Sequence, residues 1–493
     1  MKNLLTKLTP HKYFLAILAI GMFLRLFHAK ELFLYSHDQD LSAWFIKDVL
    51  VDHHIRLIGQ ETSVKGLFIG PVFYYLLIPF YLITNLDPIG GLLLPVVIAF
   101  ATIASIYFIF TKIFNKTTAS IASLIYSTNF AVILTDKEVV PTTPVYLWTV
   151  WYLYSLYLIT KKDKKALILI AVLSAFTWHI NLTLAILFIL VPVSLVLTKY
   201  LPSKKTTASS MALALVLNAP FFAFEFRHGF QQTKTLLASF SHGSAQTLSY
   251  SQTFLRTTSV MAQNAQAFLW NNLINTPQIL SLIIIASVLF LLVRYKKTNV
   301  HLGILFALWI MTYIIFFTIN KIILSEYYLN GASIIFLTTI ALFIAWLISN
   351  KKFKGIGILL LCFLVSYNSY RFFTITKNKS GYIQRKQIIQ FIKQDSLDHN
   401  YPCVSISYIT DPGYNLGYRY FIWRSNLHTI PPTNEAPVYS IVFPHSLVNS
   451  IDKSFGALGL ILPDREKYNN VDLSSACAKE NSNVTDSMFG FTK

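Results

Sequence analysis

The chain has 493 residues, of which 54% are hydrophobic and only 13% charged, and its mean hydropathy is +0.53. Soluble domains carry about 25% charged residues, so a water-soluble globular protein is excluded. A β-barrel is excluded too, because its strands would alternate over about 10 residues. The net charge of +19 would suggest a nucleic-acid partner in a soluble chain; here its distribution has a membrane explanation, and no nucleic acid is expected.

Apolar runs recur at 13–28, 89–110, 118–134, 141–160, 166–178, 182–198, 207–224, 278–295, 300–319, 331–349 and 355–373. Each is near the ~20 residues a helix needs to cross a bilayer, which predicts an all-α polytopic protein with about eleven spans. The first run follows MKNLLTKLTPHK without a small-residue cleavage site, so it reads as a retained span. Basic clusters set the orientation, because Lys and Arg in short loops stay cytoplasmic. These are Lys2/Lys7/Lys12, Lys112/Lys116, KKDKK (161–165), Lys199/Lys204/Lys205, Arg294/Lys296/Lys297 and KKFK (351–354). With all of them inside, the spans alternate without conflict, the N-terminus is cytoplasmic, and Asp163 is the one acid among the 22 that falls in an inner loop.

LFIGPVFYYLLIPFYLIT (67–84) does not fit as a crossing, since it would put KKDKK outside. Its Pro71 and Pro79 also break a straight helix. It reads as a re-entrant or interfacial segment. The short run 166–178 reads as a bent pair with 182–198, with His179 and Asn181 at the tip.

Two long outer loops follow from this topology, 29–88 and the Ser/Thr/Gln/Asn-rich 225–277, within a membrane domain 1–373. Residues 374–493 read as an extracytoplasmic α/β domain. RKQIIQFIKQ is a helical pattern, and CVSISYI (403–409), YSIVF (439–443) and LGLIL (458–462) are strand-like runs between turn signals. Cys403 and Cys477 both lie there, either bridged or as two buried thiols.

Acids gather outside. FLYSHDQDLSAW (33–44) holds Asp38 and Asp40, and Glu61 follows in the same loop. Asp136 and Glu138 end one span, and Glu225 with Arg227 and His228 begins the polar loop. Outer-loop acids are usually solvated; three acidic sites converging at the interface could instead form a cleft where a partly desolvated carboxylate acts as general base. The histidines His37, His53, His54, His179 and His228 match no tight metal-ligand spacing, so no metal and no cofactor is expected.

FLYSHDQD, KDVL and RLIGQETSVKGLFIGPVFYYLLIPF together resemble the first outer loop of bacterial GT-C glycosyltransferases, relatives of the protein O-mannosyltransferases and the lipid A aminoarabinose transferases; FEFRHGF and WHINLTLAILFILVP are similar to further segments of that family. The resemblance covers about residues 1–373 and implies a GT-C membrane fold. Such enzymes move a sugar from a polyprenyl-phosphate donor to a protein, lipid or glycan acceptor on the outer face, usually with inversion. It implies Asp38 as catalytic base. The family pattern continues DQ with Gly-Arg-Asp, whereas here Asp40-Leu41-Ser42 follows Gln39, which makes Asp40 the second catalytic candidate. The donor phosphate needs cations, and Lys65, Arg227 and Lys321 are the outer-side candidates. Glu61, Asp136, Glu138, Glu225, His228, Glu326 and Tyr327 are candidates for orienting substrate. A transporter or flippase of a lipid-linked or polar solute would instead place ionisable groups near the membrane midplane. A polysaccharide polymerase or ligase would share the donor chemistry.

Overall fold

The computed structural model describes residues 12–62, 64–241, 248–271, 273, 276–321, 324–433, 435–468 and 471–483, apart from the side chains of 239–241 and 326. The first helix is α1 (Lys12–Leu26), followed by α2 (His37–Leu50) and α3 (Val72–Ile83). The membrane block continues through α4 (Leu93–Ile113), α5 (Lys116–Thr128), α6 (Phe130–Thr135), α7 (Val145–Thr160), α8 (Lys165–Ile180) and α9 (Leu190–Thr198). After these come α10 (Lys204–Leu217), α11 (Ala219–Arg227), α12 (Gln231–Ser241), α13 (Tyr250–Leu269), α14 (Ile279–Arg294), α15 (Val300–Asn320), α16 (Ser333–Ser349) and α17 (Lys354–Phe373).

Among the described residues, four helices are long and apolar enough to cross a membrane, at Pro88–Ile113, Val300–Asn320, Tyr327–Ser349 and Lys354–Phe373. The pair α10 and α11, bent by 58°, makes a fifth if taken as one span. Eleven uninterrupted spans are therefore not seen, because several apolar runs are broken by polar residues that cap a new helix. At Asn129 the α5–α6 run breaks; its Oδ1 accepts the Val132 N–H at 3.1 Å and its Nδ2 reaches the Ala267 carbonyl at 2.9 Å. At Asn181 α8 stops, and its side chain caps the 3-10 turn Leu182–Ile189. Pro220 sits at the start of α11, just past the bend at Asn218. α3 has 12 residues and contains Pro79. At 1.5 Å per residue it is about 18 Å long, too short for a ~30 Å hydrocarbon layer.

The segment 225–277 is largely helical rather than a loop. α13 begins with a capping box of Ser249 and Gln252 and buries Thr253, Thr257, Met261, Ala265 and Phe268 against α14 and α15. Polar composition had hidden a helical period of small and apolar residues.

After the last span, α18 (Tyr382–Asp398) and α19 (Arg419–Arg424) flank a mixed sheet of order β2-β1-β3-β5-β4. β1 (Val404–Thr410) pairs in parallel with β2 (Thr429–Ile430) and β3 (Val438–Phe443), and β5 (Leu458–Ile461) is antiparallel to β3 and β4 (Lys453–Phe455). Cys403 and Cys477 are joined by a disulfide. This unit shares one apolar core with the first outer loop, in which Phe33, Tyr35, Trp44 and Phe45 pack together with Tyr382, Ile389, Tyr420 and Phe421. The C-terminal sheet and the DQD helix are thus a single packed body.

Candidate active site

Ser36 starts α2 with a capping box, its hydroxyl and N–H paired with Gln39. The cap fixes the first turn, so Asp38 and Asp40 leave the helix in different directions. The half-buried Asp38 accepts from Gln60 Nε2 at 3.1 Å. It lies within Coulombic range of Glu138, Tyr74 and Tyr327. Burial, and then the nearby charge of Asp38, pushes the Glu138 carboxyl from its ordinary 4.5 up to about 7. Glu138, with Phe33, Gln39, Leu134, Lys137 and Asn378, lines a cavity of about 320 Å³.

Asp40 faces away, into the seam with the C-terminal unit. Its Oδ1 accepts from Tyr35 Oη at 3.0 Å and from the backbone N–H of Tyr420 at 3.1 Å. Burial raises it to about 6, opposed by those two donors and by Arg385 and Arg419. The structure does not bring it to Asp38's partners.

Residues 59–62 and 64–69 form the two arms of a hairpin, with Gly59 N–H to Ile69 O at 2.7 Å and Ile69 N–H to Gln60 O at 3.1 Å. The turn needs Gly66, whose φ is +83°, and the Glu61 carboxylate accepts its N–H. Glu61 thus closes the hairpin, and Lys65 stands exposed at its tip. The hairpin is seated on α8 and α12. Trp178 Nε1 donates to Phe68 O at 3.0 Å, Gly70 N–H to Trp178 O at 3.0 Å, and Phe68 N–H to Gln232 Oε1 at 2.7 Å. A Cβ on Gly70 would stand 1.9 Å from His179 Nδ1, so only glycine admits the buried imidazole there.

The other candidates divide by role. Asp136 is fully buried in an ion pair with Arg25 at 2.6 Å and takes Tyr126 Oη at 3.2 Å. Lys137 donates to the carbonyls of Arg25 and Phe27 at 2.6 and 2.8 Å, closing the end of α1. Of DKE (136–138), Lys137 and Glu138 line the cavity and Asp136 does not. Glu225 is buried and caps α12, accepting the N–H of Gln232 at 3.1 Å and of Thr233 at 2.9 Å. His228 stacks on Phe224 with centroids 4.1 Å apart, and Arg227 is exposed at the end of α11. Lys321 lies 4.1 Å from the Tyr250 ring centroid. Tyr327 is half-exposed and meets Tyr328 edge-on; the Glu326 side chain lies outside the described residues. Among the described residues, no three His, Cys, Asp or Glu side chains gather as metal ligands. Gln60 was not picked out from sequence, because a lone glutamine in a loop carries no periodic or spacing signal.

Residues 69–224 match the family of Dolichyl-phosphate-mannose-protein mannosyltransferases. The matched stretch holds Asp136 and Glu138 and leaves Asp38 outside. The fold is similar to that of ArnT from Cupriavidus metallidurans bound to undecaprenyl phosphate, with a TM-score of 0.60 and 11% identity over 91% of this chain and 96% of that one. It is also similar to the Archaeoglobus fulgidus oligosaccharyltransferase in complex with Zn and sulfate, with a TM-score of 0.50 and 12% identity over 87% of this chain and 67% of that one. No curated protein sequence matches. The match over residues 69–224 and the fold are consistent with a membrane glycosyltransferase of the GT-C type. Within that class it is related to the protein mannosyltransferases and to ArnT.

Proposed function

We propose that the protein transfers a sugar from a polyprenyl-phosphate donor to an acceptor on the extracytoplasmic face, with inversion and with Asp38 as base. The observation that carries the reading is that Asp38, held by Gln60 Nε2 at 3.1 Å, is charge-coupled to Glu138, which lines a cavity of about 320 Å³. The acceptor hydroxyl or amine attacks the anomeric carbon as the bond from that carbon to the phosphate oxygen breaks. The acceptor's proton passes to Asp38, and polyprenyl phosphate leaves with the bonding pair. Gln60 orients the carboxylate. Glu138, protonated below about pH 7, donates a hydrogen bond to the sugar or acceptor. Lys65 and Arg227, on hairpin and helix segments that meet through α12, supply charge for the phosphate, with Lys321 beyond them. Asp40 acts from the seam rather than on the reacting atoms. In this reading the basic loops stay in the cytoplasm with the N-terminus, and residues 374–493 form an extracytoplasmic unit.

The test is transfer of labelled sugar from a polyprenyl-phosphate donor. Asp38→Asn should lower turnover by about 10²–10⁴ with the protein still folded. Turnover equal to wild type would remove Asp38 as base.

A further inference from the structure

Asp87 stands immediately before Pro88, the first residue of a membrane-spanning helix. One of its oxygens, Oδ2, takes both Lys386 Nζ at 2.6 Å and the Arg424 guanidinium at 2.8 Å. Two cations are therefore held side by side on a single carboxylate, which leaves an uncompensated positive charge. Lys386, Gln390, Lys393 and Gln394 follow one another along one face of α18. With Arg424 and Ser425 they line a cleft of about 460 Å³ whose walls include no carboxylate. Asp398, one turn along α18, is bonded to Gln394 Nε2 at 2.8 Å. Lys393 contributes a third cation and also donates to Asn426 O at 3.2 Å.

The depth of the cleft follows from its neighbours. Arg424 also donates to Asn85 O at 3.3 Å, and Tyr420 Oη to Leu86 O at 2.7 Å. That loop leaves the end of α3, where Leu82 and Ile83 are 56% and 73% exposed. These apolar side chains require lipid, so the cleft sits at headgroup level. Arginine and lysine beside amide donors are the set that recognises a phosphate.

We infer that the cleft formed by Lys386, Lys393, Arg424, Gln390 and Gln394 binds the phosphate of an anionic lipid headgroup at the membrane surface. It is separate from the cavity that Glu138 lines and ties the C-terminal unit to the bilayer. The test uses the full-length protein in neutral detergent and measures binding of phosphatidylglycerol by native mass spectrometry, with phosphatidylcholine and inorganic phosphate as parallel probes. Lys393→Gln and Gln390→Glu leave the Asp87 contacts untouched, and Lys467→Gln serves as a distant control. Wild type and control should retain phosphatidylglycerol over phosphatidylcholine, and each cleft variant should bind it about fivefold more weakly. Inorganic phosphate that displaces the lipid would support the same phosphate contact. Inorganic phosphate bound as tightly as the lipid would overturn the headgroup assignment in favour of a soluble phosphate compound. Equal retention in both cleft variants and wild type would overturn the site.

Discussion

The backbone N–H of Tyr420 donates to the carboxylate of Asp40 at 3.1 Å across 380 positions of sequence. Through that bond the last third of the chain grips the helix that carries Asp38 two residues earlier. The grip extends along the whole segment: Asn378 N–H reaches Glu31 O at 3.2 Å and Tyr382 N–H reaches Phe33 O at 3.1 Å. Asp40→Ala leaves the Tyr420 N–H and Tyr35 hydroxyl unpaired in a buried seam, a loss of about 1–3 kcal/mol. We expect a lower unfolding temperature and reduced kcat at nearly unchanged KM. Asp40→Asn retains an acceptor and should restore most of both. Turnover lost in Asp40→Asn as fully as in Asp38→Asn would show that Asp40 reacts rather than positions.

Glu138 gives a pH signature. Its folded-state value is raised from 4.5 to about 7, so between those values the folded protein binds more protons than the unfolded chain. Its contribution to stability therefore falls as pH rises from 4.5 to about 7. Glu138→Gln should flatten stability over that window, measured by thermal unfolding at a series of pH values. It should also remove an inflection near pH 7 from the kcat/KM profile.

The Arg25–Asp136 pair separates structure from chemistry within DKE. Both side chains are essentially inaccessible, and Arg25 also donates to the carbonyls of Gly21 and Ser127 at 3.1 and 2.9 Å. Asp136→Ala strands a buried guanidinium and should cost about 3–5 kcal/mol, read as lost yield or a lowered unfolding temperature. Arg25→Leu combined with Asp136→Leu should be milder than Asp136→Ala alone. Normal stability with abolished transfer in Asp136→Ala would place that carboxylate in the reaction instead.

The disulfide closes a loop of 74 residues around the sheet. Its removal by Cys403→Ser should destabilise the C-terminal unit by about 2–5 kcal/mol, seen as faster proteolysis after residue 380. Thiol titration of the denatured protein should count one cysteine without reductant, Cys362, and three with it.

Much of this protein is legible in its sequence because the responsible forces are local. Apolar runs and proline positions mark the membrane block, and α3 is a short helix that starts just after Pro71 and runs through Pro79. The strands β1, β3 and β5 and the helix α18 lie on the runs that alternation and period select. Tertiary structure alone decided what each acid does. Asp38, Asp40, Glu61, Asp136, Glu138 and Glu225 are alike in sequence, yet Asp38 takes Gln60 Nε2, Glu138 lines the cavity, Asp40 holds a seam, Glu61 closes a hairpin, Asp136 pairs with Arg25 and Glu225 caps a helix. Hydropathy and charge are properties of neighbours along the chain. Which carboxylate is left partly open beside a second one is set by packing between segments a hundred or more residues apart, and no local pattern encodes that.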